Sequence, residues 1–439
     1  MNLFTTSALK TLSRGLLAVL VMGGTFAVAQ EKKWKDQAEY DLYSKMAASK
    51  NPDEQLTLLK QWEEKYPQSD YKLERAQAFL VVYTQKNDGQ GVYDASKRLL
   101  TIDPNSSQSN YMLTLLTISL NKTDAAGLET GTKAANALIG QLDTMFAMDK
   151  KPANVSEEQW KKQRSDTEVL AYKTLGWVEQ QKKNYPGAEA QFRKALDLNP
   201  MNAEMSYFIG TVIALQKEKD IKRQAEAMWH FARAGNLEGA GALDPTRKSQ
   251  IAKYFERVFK SFAGDDEAEM KNIIMQAKGA PYPPANFEIK SKEQKMIENE
   301  EKFKAENPDL YMFMQVKKGL VAENGETYWE DTLKNAELPK FRGKIVSLSP
   351  EKNPKEIVVA ITSADQPEVT LVMETALRGT ADVGTELSFV GVAKEFTKDP
   401  FSMKVDVEND KLEGWPVQAA PAKKTPARKP AAKKPTKKK

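Results

Sequence analysis

From residue 36 to about residue 278, apolar positions recur three or four apart in short runs, each interrupted by charge or proline. Leu56-Thr57-Leu58-Leu59-Lys60-Gln61-Trp62 leads to Tyr66-Pro67, and Ala95-Ser96-Lys97-Arg98-Leu99-Leu100 leads to Asp103-Pro104. Both read as amphipathic helices that a proline stops, and the two prolines lie 37 residues apart. Residues 107–144 supply another helical pair, and Lys150–Glu158 reads as an inserted loop. Ser249–Phe262 and Glu267–Lys278 read as a further pair capping the array, which gives about five pairs. Pro281-Tyr282-Pro283-Pro284 then marks a boundary, followed by helical stretches at Lys290–Ala305 and Leu310–Leu320. From Phe341 the period drops to two. Ile345-Val346, Ile357-Val358-Val359, Val369/Leu371/Met373, Leu387/Phe389 and Phe401/Met403/Val405/Val407 read as five strands between Pro, Gly and Asp turns.

The expected fold class is therefore mainly α. Residues 30–278 form a helical-repeat α-solenoid, and 279–340 form a linker with charged helices. Residues 341–415 form a small five-stranded β barrel or sandwich, and 416–439 a disordered basic tail. The clearest repeat runs Leu175-Gly176, Tyr185, Ala188, Phe192, Ala195, Pro200. Ile209-Gly210 and Ala227-x3-Phe231-x2-Ala234 repeat it, with Lys217–Arg223 as a charged turn between. In each unit the glycine and alanine are small because two helices cross closely there, and the phenylalanine fills the space between them.

On these residues the chain resembles the tetratricopeptide-repeat family, over roughly 36–278, and specifically its secreted bacterial members. Glu179 departs from the family pattern, which prefers an aromatic residue there. The resemblance implies a concave face lined by the first helix of each pair, where such arrays bind peptides. The positions it assigns to that face here are Lys173, Trp177, Gln180, Tyr207 and Thr211, an aromatic pair with a lysine and a glutamine beside it. In the β region, Gly384-x2-Leu387-x-Phe389-x-Gly391 resembles a strand of an OB-type barrel.

Charge and chemistry narrow the function. The 439 residues carry a formal net charge of +5, yet nine basic residues and no acid fall in 422–439. Without those nine, Lys10 and Arg14, 54 basic residues face 60 acidic ones, so the body is mildly acidic. The tail lacks any large apolar residue and cannot offset its own chain entropy. Lys423, Lys424, Arg428, Lys429, Lys433, Lys434, Lys437, Lys438 and Lys439 are its candidate contacts for an anionic envelope polymer. Lys10 and Arg14, an apolar run over Gly15–Phe26 and Ala27-Val28-Ala29 read as a cleaved export signal over 1–29, shorter than a membrane span. The expected location is the periplasm or the cell surface.

Cysteine is absent, so disulfides and thiolate metal sites are excluded. The single histidine, His230, sits between Trp229 and Phe231, where a helix seam is expected. No nucleophile elbow or phosphate-cradling loop accompanies it. Asp265-Asp266-Glu267-x-Glu269 and Glu298-x-Glu300-Glu301 read as a helix start and a solvated face. The sequence therefore implies no enzyme, no cofactor and no metal, but a scaffold for a protein or peptide partner. The alternative is a nucleic-acid or polyanion-binding protein working through the barrel and tail, with Phe389, Phe396 and Phe401 as candidate stacking residues.

Overall fold

The computed structural model describes residues 32–216, 220–363 and 366–416. The expected export signal and basic tail lie outside these residues. The chain divides into two compact units, 1–292 and 293–439.

The described part of the first unit is a succession of twelve helices. They are α1 (Gln37–Ala48), α2 (Pro52–Lys65), α3 (Lys72–Gln85), α4 (Gly89–Ile102), α5 (Ser107–Ser119) and α6 (Ala125–Met145). Then follow α7 (Glu157–Gln181), α8 (Tyr185–Leu198), α9 (Ala203–Leu215), α10 (Ile221–Asn236), α11 (Pro245–Ala263) and α12 (Glu267–Gly279). Local chemistry sets the starts. Every helix but α3 is opened by an Asp, Asn or Ser whose side chain accepts a first-turn backbone N–H, Asp36, Asn184, Asn202 and Asp266 among them. At α7, Ser156 and Gln159 form a reciprocal capping box.

From α1 to α11 each helix packs against its neighbours in sequence, which makes α1–α10 five consecutive pairs. The pairs are locked where the sequence places glycine against phenylalanine. A methyl group on Gly176 would sit 2.5 Å from the Phe192 ring, and Phe192 is fully buried. One repeat later, a methyl on Gly210 would lie 3.1 Å from both the Phe231 ring and the Ala227 carbonyl. Gly131 on α6 meets Thr117 of α5 in the same manner. Glu179, the departure from the aromatic pattern, instead accepts from Asn184 Nδ2 at 2.7 Å and so ties the end of α7 to the start of α8.

The array ends differently from a simple further pair. Helices α11 and α12 both pack on α10 rather than chiefly on each other. Arg233 of α10 explains the arrangement of α12: its Nη1 donates to Ala277 O at 2.6 Å and Ala280 O at 2.9 Å, and its Nη2 donates to Pro200 O. This buried guanidinium satisfies carbonyls at the C-terminus of α12, where a cation is also favoured by the helix dipole. Its neighbour His230 is fully buried. Neither ring nitrogen has a hydrogen-bond partner among the described residues, and the ring meets Tyr282 edge-on at 5.9 Å.

The described part of the second unit begins with α13 (Lys292–Glu306), α14 (Pro308–Val321) and α15 (Gly325–Tyr328), the last continued by a π-helical turn over Trp329–Leu333. Seven strands follow: β1 (Phe341–Ser349), β2 (Glu356–Ala360), β3 (Val369–Met373), β4 (Glu386–Phe389), β5 (Val392–Lys398), β6 (Phe401–Val407) and β7 (Leu412–Glu413). The five expected strands are present as β1, β2, β3, β4 and β6; the count is corrected by β5 and the short β7. They form one open sheet, ordered β5-β6-β3-β2-β1-β4-β7, with only β3 and β6 parallel.

Only Val390 and Gly391 separate β4, on one side of the sheet, from β5 on the other, so chain continuity curls the sheet round its core. Gly391 permits this bend, because a methyl there would lie 2.4 Å from Asp406 O on β6. Gly384, at φ +87°, makes the turn into β4 in a conformation side chains disfavour. Phe341, Ile345, Leu371, Leu387, Phe389 and Val405 fill the interior, joined by Phe313 of α14 and by Trp329.

The close crossing at Gly176 can be tested by substitution. Gly176→Ala gains helix propensity of about 1 kcal/mol, but it forces a methyl into a ring that cannot retreat, a strain of about 1–3 kcal/mol. Urea unfolding should show net destabilisation, and Phe192→Leu in the same chain should relieve part of it. A second expectation concerns pH. Burial first, then Arg193, Arg233 and Arg223, hold His230 well below its ordinary 6.5, so the folded chain keeps it neutral. The unfolded chain takes up that proton below about pH 6.5, so His230 contributes stability that is fully present above that pH and lost as pH falls beneath it. Stability should therefore decline in acid by up to about 1.4 kcal/mol per pH unit from this site. His230→Phe should flatten that slope; an unchanged slope would assign it to other groups.

Candidate functional site

The odd-numbered helices α7, α9 and α11 are linked by one carboxylate, which joins the second half of α7 to the first turns of α9 and α11. Glu204 of α9 accepts from Lys173 Nζ of α7 at 2.6 Å and faces Arg247 Nη1 of α11 at 3.5 Å. Burial alone would raise the Glu204 carboxyl, but Lys173 and then Arg247 hold it below the usual carboxylate value. Arg247 in turn approaches Asp244, the N-cap of its own helix, at 4.0 Å. All three members of the row are partly exposed, at 23–25%. With Asp244 the row carries two cations and two acids, and Arg247 Nε has no hydrogen-bond partner among the described residues.

The expected groove residues fall around this row. Glu204, Tyr207 and Thr211 are spaced i, i+3, i+7 and share one stripe of α9. Lys173 and Gln180 share the corresponding stripe of α7, and all four expected groove residues other than Trp177 are half-buried. Thr211 Oγ1 donates to Tyr207 O at 2.8 Å. Tyr207 lies 6.4 Å from Phe231, and Phe231 meets Tyr254 of α11 edge-on at 5.0 Å. Tyr254 is 37% exposed and carries the Arg257 guanidinium over its ring at 5.3 Å, which extends the aromatic stripe one helix further than the sequence suggested.

Trp177 requires correction. It is 1% exposed and packs with Val178, Ile118 of α5 and Leu128 of α6, so it belongs to the seam between pairs and offers no face to a partner. The reason is the preceding pair, whose α5 and α6 close over it. Glu204 and Arg247, which the sequence reading missed, were marked only by spacing: one precedes Tyr207 by three residues, and the other sits in the first turn of α11.

Elsewhere the titratable groups are structural. Asp266 caps α12 by accepting from Glu269 N at 3.0 Å, Asp265 pairs with Lys260 at 3.2 Å, and Glu267 pairs with Lys271 at 3.0 Å. Glu300 accepts from Tyr311 Oη at 2.8 Å. Between the even-numbered helices α8 and α10, Arg193 and Arg223 each contact both Glu189 and Glu226. Burial presses the Glu189 carboxyl up, but hydrogen bonds from Gln216, Arg223 and Arg193 keep it low.

In the second unit a cleft of about 420 Å³ lies between the α13–α14 junction and strand β1. Arg342 and Lys344 line it with Glu306, Asp309 and Glu386, and Arg342 lies 3.8 Å from Asp309 and 3.6 Å from Glu386. Its charges are of both signs, so it favours no single ionic ligand. Of the candidate stacking residues, Phe389 is buried, while Phe396 packs on Trp329 at 5.0 Å and Phe401 on Phe313 at 6.3 Å. They serve the core, and the expected tail contacts from Lys423 to Lys439 lie outside the described residues. Among the described residues no helix is long and apolar enough to cross a membrane.

No protein-family model and no curated protein matches the chain. Among the solved structures that show a distant likeness are two that cover about half of the chain. One, the MamA RS-1 ArsTM double mutant, is 14% identical, with 50% of this chain and 94% of that one covered and a TM-score of 0.29. The other, TTC0263, described as a thermophilic TPR protein in Thermus thermophilus, is also 14% identical, with 51% and 97% covered and a TM-score of 0.26. At these values neither likeness adds to what the molecule shows by itself. The helical-repeat character of α7–α10 stands on the glycine–phenylalanine crossings of its own two helical pairs.

Proposed function

We propose that the chain is an exported, non-catalytic scaffold that holds a protein or peptide on the face of its odd-numbered helices. The observation that supports this most is the continuous row Lys173–Glu204–Arg247, with Tyr207 and Tyr254 beside it, partly exposed across three successive odd-numbered helices. Polar groups next to partly exposed tyrosines are the composition of a recognition surface. Export rests on the residues of 1–29, which resemble a cleaved signal, and places the scaffold in the periplasm or at the cell surface. The basic residues Lys423–Lys439 would add salt-sensitive attachment to an anionic envelope polymer.

The test is affinity capture from an envelope extract with the processed chain, with Lys173→Ala/Tyr207→Ala/Arg247→Ala, and with the chain lacking 422–439. A defined protein should be lost with the triple variant at moderate salt and retained without the tail. Capture of polyanions alone, abolished by removing the tail, would overturn the scaffold reading. Trp177→Ala is the contrasting control. Because the indole is buried, it should cost about 3–5 kcal/mol in stability, read as a lowered urea midpoint, instead of acting on binding directly.

A further inference from the structure

Residues 32–35, ahead of α1, lie across the first three helices in the manner of a bound peptide. The backbone is held at three points. Lys33 N donates to Asp70 Oδ2 at 3.2 Å, Tyr71 Oη donates to Lys32 O at 3.2 Å, and Lys35 N donates to Glu39 Oε2 at 2.7 Å. The side chains alternate in role. Lys32 pairs with Glu74 and Lys35 with Asp70 at 3.0 Å, while Trp34 stacks on Tyr71 at 3.8 Å and 15°. Tyr43 lies 5.1 Å from the Trp34 ring, Tyr40 meets it edge-on at 5.6 Å, and Trp62 closes the floor at 6.0 Å.

The seat is braced independently of its occupant. Trp62 is 1% exposed, donates from Nε1 to the buried Glu39 at 2.9 Å and lies against the Arg75 guanidinium at 5.5 Å. Arg75 Nη1 donates to Tyr66 O at 2.8 Å, and Tyr66 Oη donates to Asp36 at 2.7 Å. The strap itself is held loosely by comparison. Its three lysines are exposed, Trp34 is only half-buried, and Tyr40 and Tyr43 remain 45% and 37% exposed beyond it. Exposed ion pairs and a single stacked ring make a contact that can exchange.

We infer that the notch of Tyr43, Trp62, Asp70, Tyr71 and Glu74 is a second interaction surface, specific for an extended segment in which a tryptophan is flanked by lysines. The strap Lys32–Lys35 occupies it in cis, and a partner segment of that chemistry displaces the strap. The acids on one side of the aromatic floor select the lysines, and the stacked ring position selects the tryptophan. This surface is independent of the odd-helix row, so failure of either leaves the other standing.

The test opens the seat in the full processed chain with Trp34→Ala and titrates it with a labelled peptide, Glu-Lys-Lys-Trp-Lys-Asp, by fluorescence anisotropy. Binding should be saturable, and a peptide with alanine for its tryptophan should bind roughly tenfold more weakly. The unaltered chain, whose tethered strap competes, should bind the peptide at least about tenfold more weakly than Trp34→Ala. Adding Asp70→Asn/Tyr71→Ala to Trp34→Ala should abolish binding while the helical circular dichroism is kept. No saturable binding by a folded Trp34→Ala chain, or equal binding of the tryptophan-less peptide, would overturn the inference. Self-association of the unaltered chain that Trp34→Ala abolishes would also overturn it, because the occupant would then be a second copy's strap.

Discussion

The first unit depends on how closely consecutive helices can cross. At Gly176 and Gly210 the absence of a side chain lets α7 and α9 meet the buried Phe192 and Phe231 of their partners. Because the same crossing recurs, the first helix of each pair presents the same stripe, and residues 31 to 43 apart in sequence become neighbours. That is why Lys173, Glu204 and Arg247, each unremarkable alone, form a row. The packing step creates the site, and the chemistry follows from it.

The caps at both ends of the array are built from other interactions. At the N-terminal end, Trp34 completes an aromatic stack whose floor is fixed by a buried carboxylate, Glu39. At the C-terminal end, Arg233 gathers carbonyls from α12 and from Pro200, and the segment beyond α12 returns over the repeats. Tyr282 Oη donates to Asp197 at 2.7 Å, and Phe287 meets Trp229 edge-on at 4.9 Å. Burial and Asp197 push the Tyr282 hydroxyl well above its ordinary value, so it remains a donor at any physiological pH. Terminal pairs lack a neighbour on one side, and these contacts supply the missing burial.

Much of the fold was legible because it is encoded locally. The Asp, Asn and Ser caps, the proline stops and the repeated small-residue and phenylalanine spacing each act within a few residues of themselves. What was not legible is set by distant partners. Trp177 occupies an inward-facing position by repeat counting, yet Ile118 and Leu128, some fifty residues earlier, decide that it is core. Strand β5 reads as charged, Val-Ala-Lys-Glu-Phe-Thr-Lys, and becomes a strand because it continues β4 past Gly391 onto β6. The packing of α12 on α10 depends on Arg233, whose partners lie 33 to 47 residues away. The strap at residues 32–35 has no periodicity of its own to reveal it.

Recognition, on this account, belongs to the face of the odd-numbered helices. The most direct measurement places a photoreactive amino acid at Thr211, or at Gln180, and compares it with the same group at the exposed Ala190 of α8. After irradiation in intact envelopes, cross-linked species are resolved by mass. The account predicts a discrete cross-linked protein from Thr211 and Gln180 and none of that mass from Ala190. The same adduct from all three positions, or from Ala190 alone, would contradict it.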